Sequence, residues 1–176
     1  MPTDSVDTSA ADSIREYFRA DRSRMTMMAA RKFQVPEQQV LQALIGEWPI
    51  TRLRDGAFPA LMDDLTEFGP MRVFVRSQAA VIESVGVFGG YSETGPFFNV
   101  QTDTLDMHIL HEEIGSIFAV EKWGHDTTIA TYSFQFFDRN GSAAFKAFLW
   151  DNFPEVPASR IAAFHSTTLK LAANDN

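Results

Sequence analysis

Thr128–Trp150 reads TIATYSFQFFDRNGSAAFKAFLW, and this stretch decides the fold. Thr128–Phe137 is a long strand rich in β-branched and aromatic residues. Asp138-Arg139-Asn140-Gly141 then interrupts it. Asn-Gly accepts positive φ, so the interruption predicts a tight reversal into an antiparallel partner over Ala143–Trp150. In that partner Lys146 lies between Phe145 and Ala147 and points with Ala144 and Phe148, because side chains alternate along a strand.

Working outward, the period of two continues upstream. In Met71–Ser77, Met71, Val73 and Val75 face one way while Arg72, Phe74 and Arg76 face the other. Ala79–Phe88 alternates as well, with Glu83 among Val81, Val85 and Val87. Gly89–Pro96 lacks the spacing of a phosphate-binding loop and precedes no helix, so it reads as a mobile surface connection. Strands are expected over Phe97–Gln101, Met107–His111 and Ser116–Lys122, with a turn at Trp123–Asp126. Helical spacing flanks this block. Phe58, Leu61, Leu65 and Phe68 form an apolar stripe on a helix starting at Asp55, with Pro59 in its first turn and Gly69-Pro70 at its end. Pro157–Leu171 carries Ile161, Phe164 and Leu171 on one side. Near the start, three short helices are expected: one from Ser13, where Ser13 and Glu16 form a capping box, one near Thr26–Phe33, and one from Pro36 through Leu44. Short N-terminal helices, a mainly antiparallel sheet and a C-terminal helix spell α+β.

Composition bounds the function. The chain has 176 residues with 45% hydrophobic and 22% charged residues, ordinary for one globular domain. Residues 1–12 and the closing AANDN read as tails, residues 13–50 as a helical part and 55–172 as an α+β core, together one domain over 13–172. The net charge of −8 works against non-specific binding to nucleic acid or an anionic membrane. With no cysteine, disulfides, thiolate metal sites and cysteine nucleophiles are excluded. The opening MPTDSVDTSAAD has neither a basic start nor an apolar run, and no stretch approaches membrane-spanning length, so a soluble cytoplasmic protein is expected.

Several constellations could carry chemistry. Helix, turn and helix before Leu44 resemble a helix-turn-helix, but the second helix would expose Glu37, Gln38, Gln39 and Gln42 with no basic residue for phosphate contacts. No Gly-x-Ser-x-Gly elbow supports a serine hydrolase. Asp63-Asp64 and Glu112-Glu113 read as solvated charge. Phe97–His111, FFNVQTDTLDMHILH, holds an aromatic strand and two histidines. On a helix His108 and His111 would share a face and could hold one metal ion, but on the strand expected here they face opposite ways. A histidine in this setting is either a hydrogen-bonded structural residue or a ligand. Arg72 and Arg76 flank Phe74 on one face, which suits either a flat acidic ligand or an ordinary outer sheet face.

Taken in order, Glu67-Phe68-Gly69-Pro70-Met71, Phe97-Phe98-Asn99-Val100, His108-Ile109, Phe136-Phe137-Asp138-Arg139-Asn140-Gly141 with Phe145-Lys146-Ala147-Phe148, and Ala163-Phe164-His165 resemble the HutX/ChuX-type intracellular haem-utilisation proteins of bacteria. The resemblance covers most of the chain from the second expected helix onward. It implies the HemS/ChuX-like haem-utilisation fold and a cytoplasmic homodimeric carrier in haem-iron acquisition. Such a carrier stores or transports haem b as cargo and passes it to a haem-degrading partner enzyme, doing no chemistry itself. The alternatives are a haem-degrading enzyme like the duplicated relatives, or the helix-turn-helix regulator. Family members carry a histidine before an aliphatic residue at the site matching His108, making His108 the candidate iron ligand. Phe97 and Phe98 would meet the ring, and Arg72, Arg76 or Lys146 the propionates. This chain departs from the pattern in three places. Met107 precedes His108 where Gly is frequent, Phe97 stands where many members have tyrosine, and Arg76 stands where one has histidine.

Overall fold

The computed structural model describes residues 7–77, 79–124, 129–149 and 156–173. Residues 1–6 of the expected tail, His125 and Asp126 of the expected turn, the Thr128 and Trp150 ends of the hairpin, and Asn174–Asn176 lie outside the described residues. In chain order the elements are α1 (Thr8–Ala20), α2 (Thr26–Phe33), α3 (Glu37–Leu44), β1 (Ile50–Arg52), α4 (Phe58–Leu65), β2 (Met71–Arg76) and β3 (Val81–Gly86). There follow β4 (Ser92–Thr94), β5 (Phe97–Gln101), β6 (Asp106–Ile109), β7 (Ile114–Trp123), β8 (Ala130–Asp138), β9 (Ala143–Leu149) and α5 (Ala158–Leu171).

The β8–β9 hairpin forms, through a different turn from the one Asn-Gly suggests. Only Gly141 takes a positive φ, +78°. Its N–H donates to the Asp138 carbonyl at 3.0 Å, and the Asp138 carboxylate accepts from the Asn140 and Ser142 N–H groups at 2.8 and 2.9 Å. This is a type I turn closed by a left-handed glycine, and the register slips so that Phe137 faces Ala143. The glycine is also needed for space, since a Cβ there would lie 2.8 Å from Cβ of Pro36.

Around the hairpin the strands pair antiparallel in the order β1-β7-β8-β9-β2-β3, while β4-β5-β6 form a separate small sheet. Strand parity sorts the core into two. Met71, Val73, Phe134, Phe136, Ala147 and Leu149 bury one face of the large sheet among residues of α4, α5 and the small sheet. Phe118, Val120 and Phe137 bury part of the other face against α1, α2 and α3.

Several expectations are corrected in detail. The first helix begins at Thr8, not Ser13: Asp7 caps it by accepting from the Ser9 N–H, and Ala11, Ile14 and Phe18 form its buried stripe. Ser13 lies inside this helix, its hydroxyl donating to the Ser9 carbonyl, so there is no capping box. Asp55 precedes α4 instead of starting it, being tied to Arg52 at 3.1 Å beside the left-handed Gly56. The glycine-rich loop is partly structured, with Ser92–Thr94 pairing to β5. Gly90, at φ +58°, lies against the Gln101 carbonyl so closely that any Cβ would collide with it. Glu37 is buried, not exposed, at 8%. With Val40, Leu41, Ala43 and Leu44 also buried, α3 is a core helix and presents no recognition surface. Asp64 is likewise partnered, by Lys170 at 2.7 Å and the Thr167 hydroxyl at 3.1 Å.

Candidate functional site at the end of β9

His108 sits on β6, directly across from Asn99 on β5. The pairing sets the imidazole's chemistry. Asn99 is 4% exposed, and its amide N–H groups donate to the Ser92 and Thr94 hydroxyls at 3.1 and 3.2 Å. Its carbonyl oxygen is left facing His108 Nδ1 at 2.7 Å. That contact puts the ring proton on Nδ1 and the lone pair on Nε2. A histidine that donates from Nδ1 to a fixed acceptor presents Nε2 as a metal ligand of set orientation. The His108 side chain is 58% exposed, with Nε2 3.7 Å from the Asp106 carboxylate. Phe97 stands edge-on to the ring, with centroids 6.2 Å apart.

The neighbours separate as alternation requires. Phe98 turns inward, 5.3 Å from Phe58 and 5.0 Å from Tyr91, and packs on the core. β6 ends at Ile109, earlier than expected. His111 falls in a short 3-10 turn, stacked on Phe58 at 5.8 Å, with its Nδ1 buried and without a hydrogen-bond partner among the described residues. The two histidines therefore do not converge. Among the described residues no group of three or more His, Cys, Asp or Glu could hold a metal ion.

A pocket of about 220 Å³ lies beside His108, lined by Val75, Met107, Leu110, Ile114, Ala144 and Phe145 among others. That is below the roughly 300–1,000 Å³ of a cleft enclosing a drug-sized ligand, so a haem-sized ring here would lie partly open. A second pocket of about 440 Å³ opens on the other face of the sheet, under α2. Arg72, Arg76 and Lys146 all line it, with Phe74 and Phe148 between them. The two pockets share Ala144 and Phe145 of β9, and successive residues of β2, Val75 and Arg76, line the first and the second.

The three cations differ. Lys146 is held by Glu37 at 2.6 Å, and Glu37 also accepts from the Thr26 hydroxyl. Burial alone would raise the Glu37 pKa, but the Lys146 charge and these hydrogen bonds override it and hold the carboxyl below its usual range. Arg72 pairs with Glu83 at 3.2 Å. Arg76 is exposed at the end of β2, and its charge also helps to hold the Glu37 carboxyl down. The structure thus brings Phe97 to His108, and Arg72, Arg76 and Lys146 to one another. It turns Phe98 away from His108, half-buried against the core. Asn99 is the residue missed by reading side-chain types alone. Its signal is cross-strand: pairing the strands either side of Thr102–Asp106 sets it opposite His108.

Helices on a mainly antiparallel sheet, closed by a C-terminal helix, are the architecture of the haem-utilisation fold. Residues 51–167 match the haem utilisation ChuX/HutX family, and the chain belongs to that family. A protein from Erwinia carotovora has the same fold at 21% identity and a TM-score of 0.82, over 90% of this chain and 98% of that one. The haem-binding protein ChuX is similar at 21% identity and a TM-score of 0.78, covering 89% and 97% of the two chains. The haem-degrading enzyme ChuS of Escherichia coli O157:H7 is 19% identical with a TM-score of 0.78. There 95% of this chain matches 47% of the longer one, so this chain spans about half its length. The chain has no significant match among curated protein sequences. Among the described residues no helix is long and apolar enough to cross a membrane.

Proposed function

We propose that this protein is a cytoplasmic carrier that binds haem b as cargo, with His108 Nε2 on the iron, and relays it to a haem-degrading partner. The observation that carries the reading is the Asn99–His108 contact, in which Nδ1 faces the Asn99 carbonyl oxygen and Nε2 is the nitrogen left for a ligand. Phe97 supplies an apolar edge beside the ring. Arg76, exposed at the end of β2, is the cation for a propionate. Arg72 and Lys146 already hold carboxylates and take a lesser part. Family membership and the haem-binding neighbour ChuX point the same way.

The working unit is a homodimer. β3 is an edge of the large sheet and exposes Val81, Ile82 and Val85, Ile82 at 69%. A long apolar edge of this kind calls for a partner. ChuS, twice as long, has room in one chain for a second copy of the fold.

The test is a hemin titration followed in the visible spectrum. A saturable Soret shift is expected, and His108→Ala abolishes it. Retention of the full shift in that variant overturns the assignment of the ligand. Conversion of bound haem to a bilin with iron release, when reductant and oxygen are supplied, overturns the carrier reading in favour of degradation.

A further inference from the structure

The charge of the chain is unevenly spread. Arg15–Lys32 carries six of the fifteen Lys and Arg residues, but only Glu16 and Asp21 of the twenty-three Asp and Glu. The stretch forms the end of α1, the turn after it and most of α2. It lies ahead of residues 51–167, which match the family. Three of its cations serve the fold. Arg15 and Arg19 hold Glu47. Arg24 holds Asp21 at 3.6 Å and donates to the Tyr17 carbonyl at 2.7 Å. Arg22 and Lys32 are different: both are exposed, and neither pairs with a carboxylate among the described residues.

Both lie over aromatic rings instead. The Arg22 guanidinium stands 5.9 Å from the Trp48 ring, and the Lys32 ammonium 5.6 and 5.7 Å from the Tyr17 and Phe33 rings. These rings are continuous, since Tyr17 meets Phe33 and Phe18 at 5.5 and 5.7 Å, and Phe18 meets Trp48 at 5.8 Å. The turn between the helices is pinned. Ser23 donates to the Asp21 carboxylate through its N–H and its hydroxyl, and the half-buried Lys122 of β7 donates to the Arg22 carbonyl at 3.2 Å. Arg22 is therefore presented on a fixed backbone. Met28, 43% exposed, precedes Lys32 by one turn and shares its side of α2, and Met25, 41% exposed, lies three residues earlier.

Arg, Met and aromatic side chains are the types enriched at protein interfaces, and a flexible thioether adapts to a partner's apolar surface. The rest of the chain is strongly acidic. An extended polyanion, such as duplex DNA or an anionic membrane, would run past the patch onto like charge, whereas a compact acidic protein surface meets the patch alone. We propose that the outer face of α1 and α2 is a docking surface for an acidic protein partner, with Met25 and Met28 against its apolar centre and Arg22 and Lys32 against carboxylates around it. On the carrier reading, on which this last identification rests, the partner is the protein that takes the cargo.

An amphipathic helical peptide of leucine and glutamate is the probe, and the same peptide with glutamine for glutamate is the control. Calorimetry on the full chain at low salt should show saturable binding of the glutamate peptide at one per chain, with the control about tenfold weaker or more. The double variant Arg22→Glu, Lys32→Glu should lose about tenfold or more in affinity, and Met28→Asp should weaken binding independently. No saturable binding, equal binding of the control, or unchanged affinity in either variant overturns the proposal. Tighter binding of duplex DNA or phosphatidylglycerol vesicles than of the peptide, lost in the double variant, overturns it in favour of a phosphate surface. Hemin titration of the double variant should match that of the wild type. Lost peptide binding with hemin binding intact sinks the docking surface alone, and the reverse sinks the carrier reading alone.

Discussion

The rim that carries His108 and the cleft under α2 share Ala144 and Phe145 as walls, yet they are opposites. At the rim a single imidazole stands more than half exposed, oriented by one hydrogen bond and backed by little apolar surface. In the cleft, charges are buried and matched in part by one another, with 17% and 9% of the Lys146 and Glu37 side chains exposed. A metal ligand must be reachable, so the rim tolerates exposure. A buried ion pair must be complete, so the cleft does not tolerate loss of either partner. Substitutions at the rim should therefore cost ligand binding, and substitutions in the buried Lys146–Glu37 pair should cost the fold.

The largest effect follows from breaking the pair. Lys146→Met leaves Glu37 buried without its cation, at a cost of about 3–5 kcal/mol. Denaturant unfolding measures this. Adding Glu37→Gln should recover much of the loss, because the uncompensated charge is then gone. The pair also gives a pH signature. The Glu37 pKa is lowered in the fold, so its contribution is fully present above the unfolded carboxyl value and is lost as pH falls through the folded one. Wild-type stability should drop over that acid window, and the drop should shrink in Glu37→Gln. If Lys146→Met unfolds at the wild-type denaturant concentration, the contrast between cleft and rim fails.

At the rim the ordering reverses. His108→Ala should weaken hemin binding by more than about a hundredfold, beyond what loss of an outer-shell partner costs, while unfolding shifts by no more than about 0.5 kcal/mol for an exposed position. Asn99→Ala acts at one remove. It frees the imidazole to rotate and to shift its proton, and should weaken hemin binding about 10–100-fold with the Soret band kept in kind. An equal loss of the Soret shift in Asn99→Ala and His108→Ala would mean that Asn99 does more than orient the ring.

Much of this was legible, for identifiable reasons. Alternation placed Arg72, Phe74 and Arg76 on one face and Lys146 with Phe148, and these residues do meet. The hairpin was legible in its residue types, and its turn was not, because the Asp138 side chain and the packing of Pro36 on Gly141 select the geometry. Glu37 looked exposed because its cation lies 109 residues away, beyond any local pattern. Lys122 lay on an expected strand, but its burial comes from elements distant in sequence, including Arg22 ahead of α2. The family resemblance puts both Phe97 and Phe98 against the ring, although adjacent strand residues point to opposite faces. Parity alone could have separated them.

That separation supplies the smallest and most discriminating expectation. Phe97 is 37% exposed and touches the His108 ring only edge-on, so Phe97→Ala removes a contact surface without opening a core. Hemin affinity should fall by the roughly 0.5–1.5 kcal/mol typical of an aromatic pair, a few-fold to about tenfold, with no change in the unfolding midpoint. Phe98→Ala should do the reverse, destabilising by about 3 kcal/mol or less, since the ring is only half-buried against Phe58 and Tyr91. Its effect on hemin should be confined to what the lost stability brings. Titration and unfolding of the same two proteins test both. If Phe98→Ala lowers hemin affinity more than Phe97→Ala while the fold holds, the haem ring approaches from the inner face and the rim is not its seat.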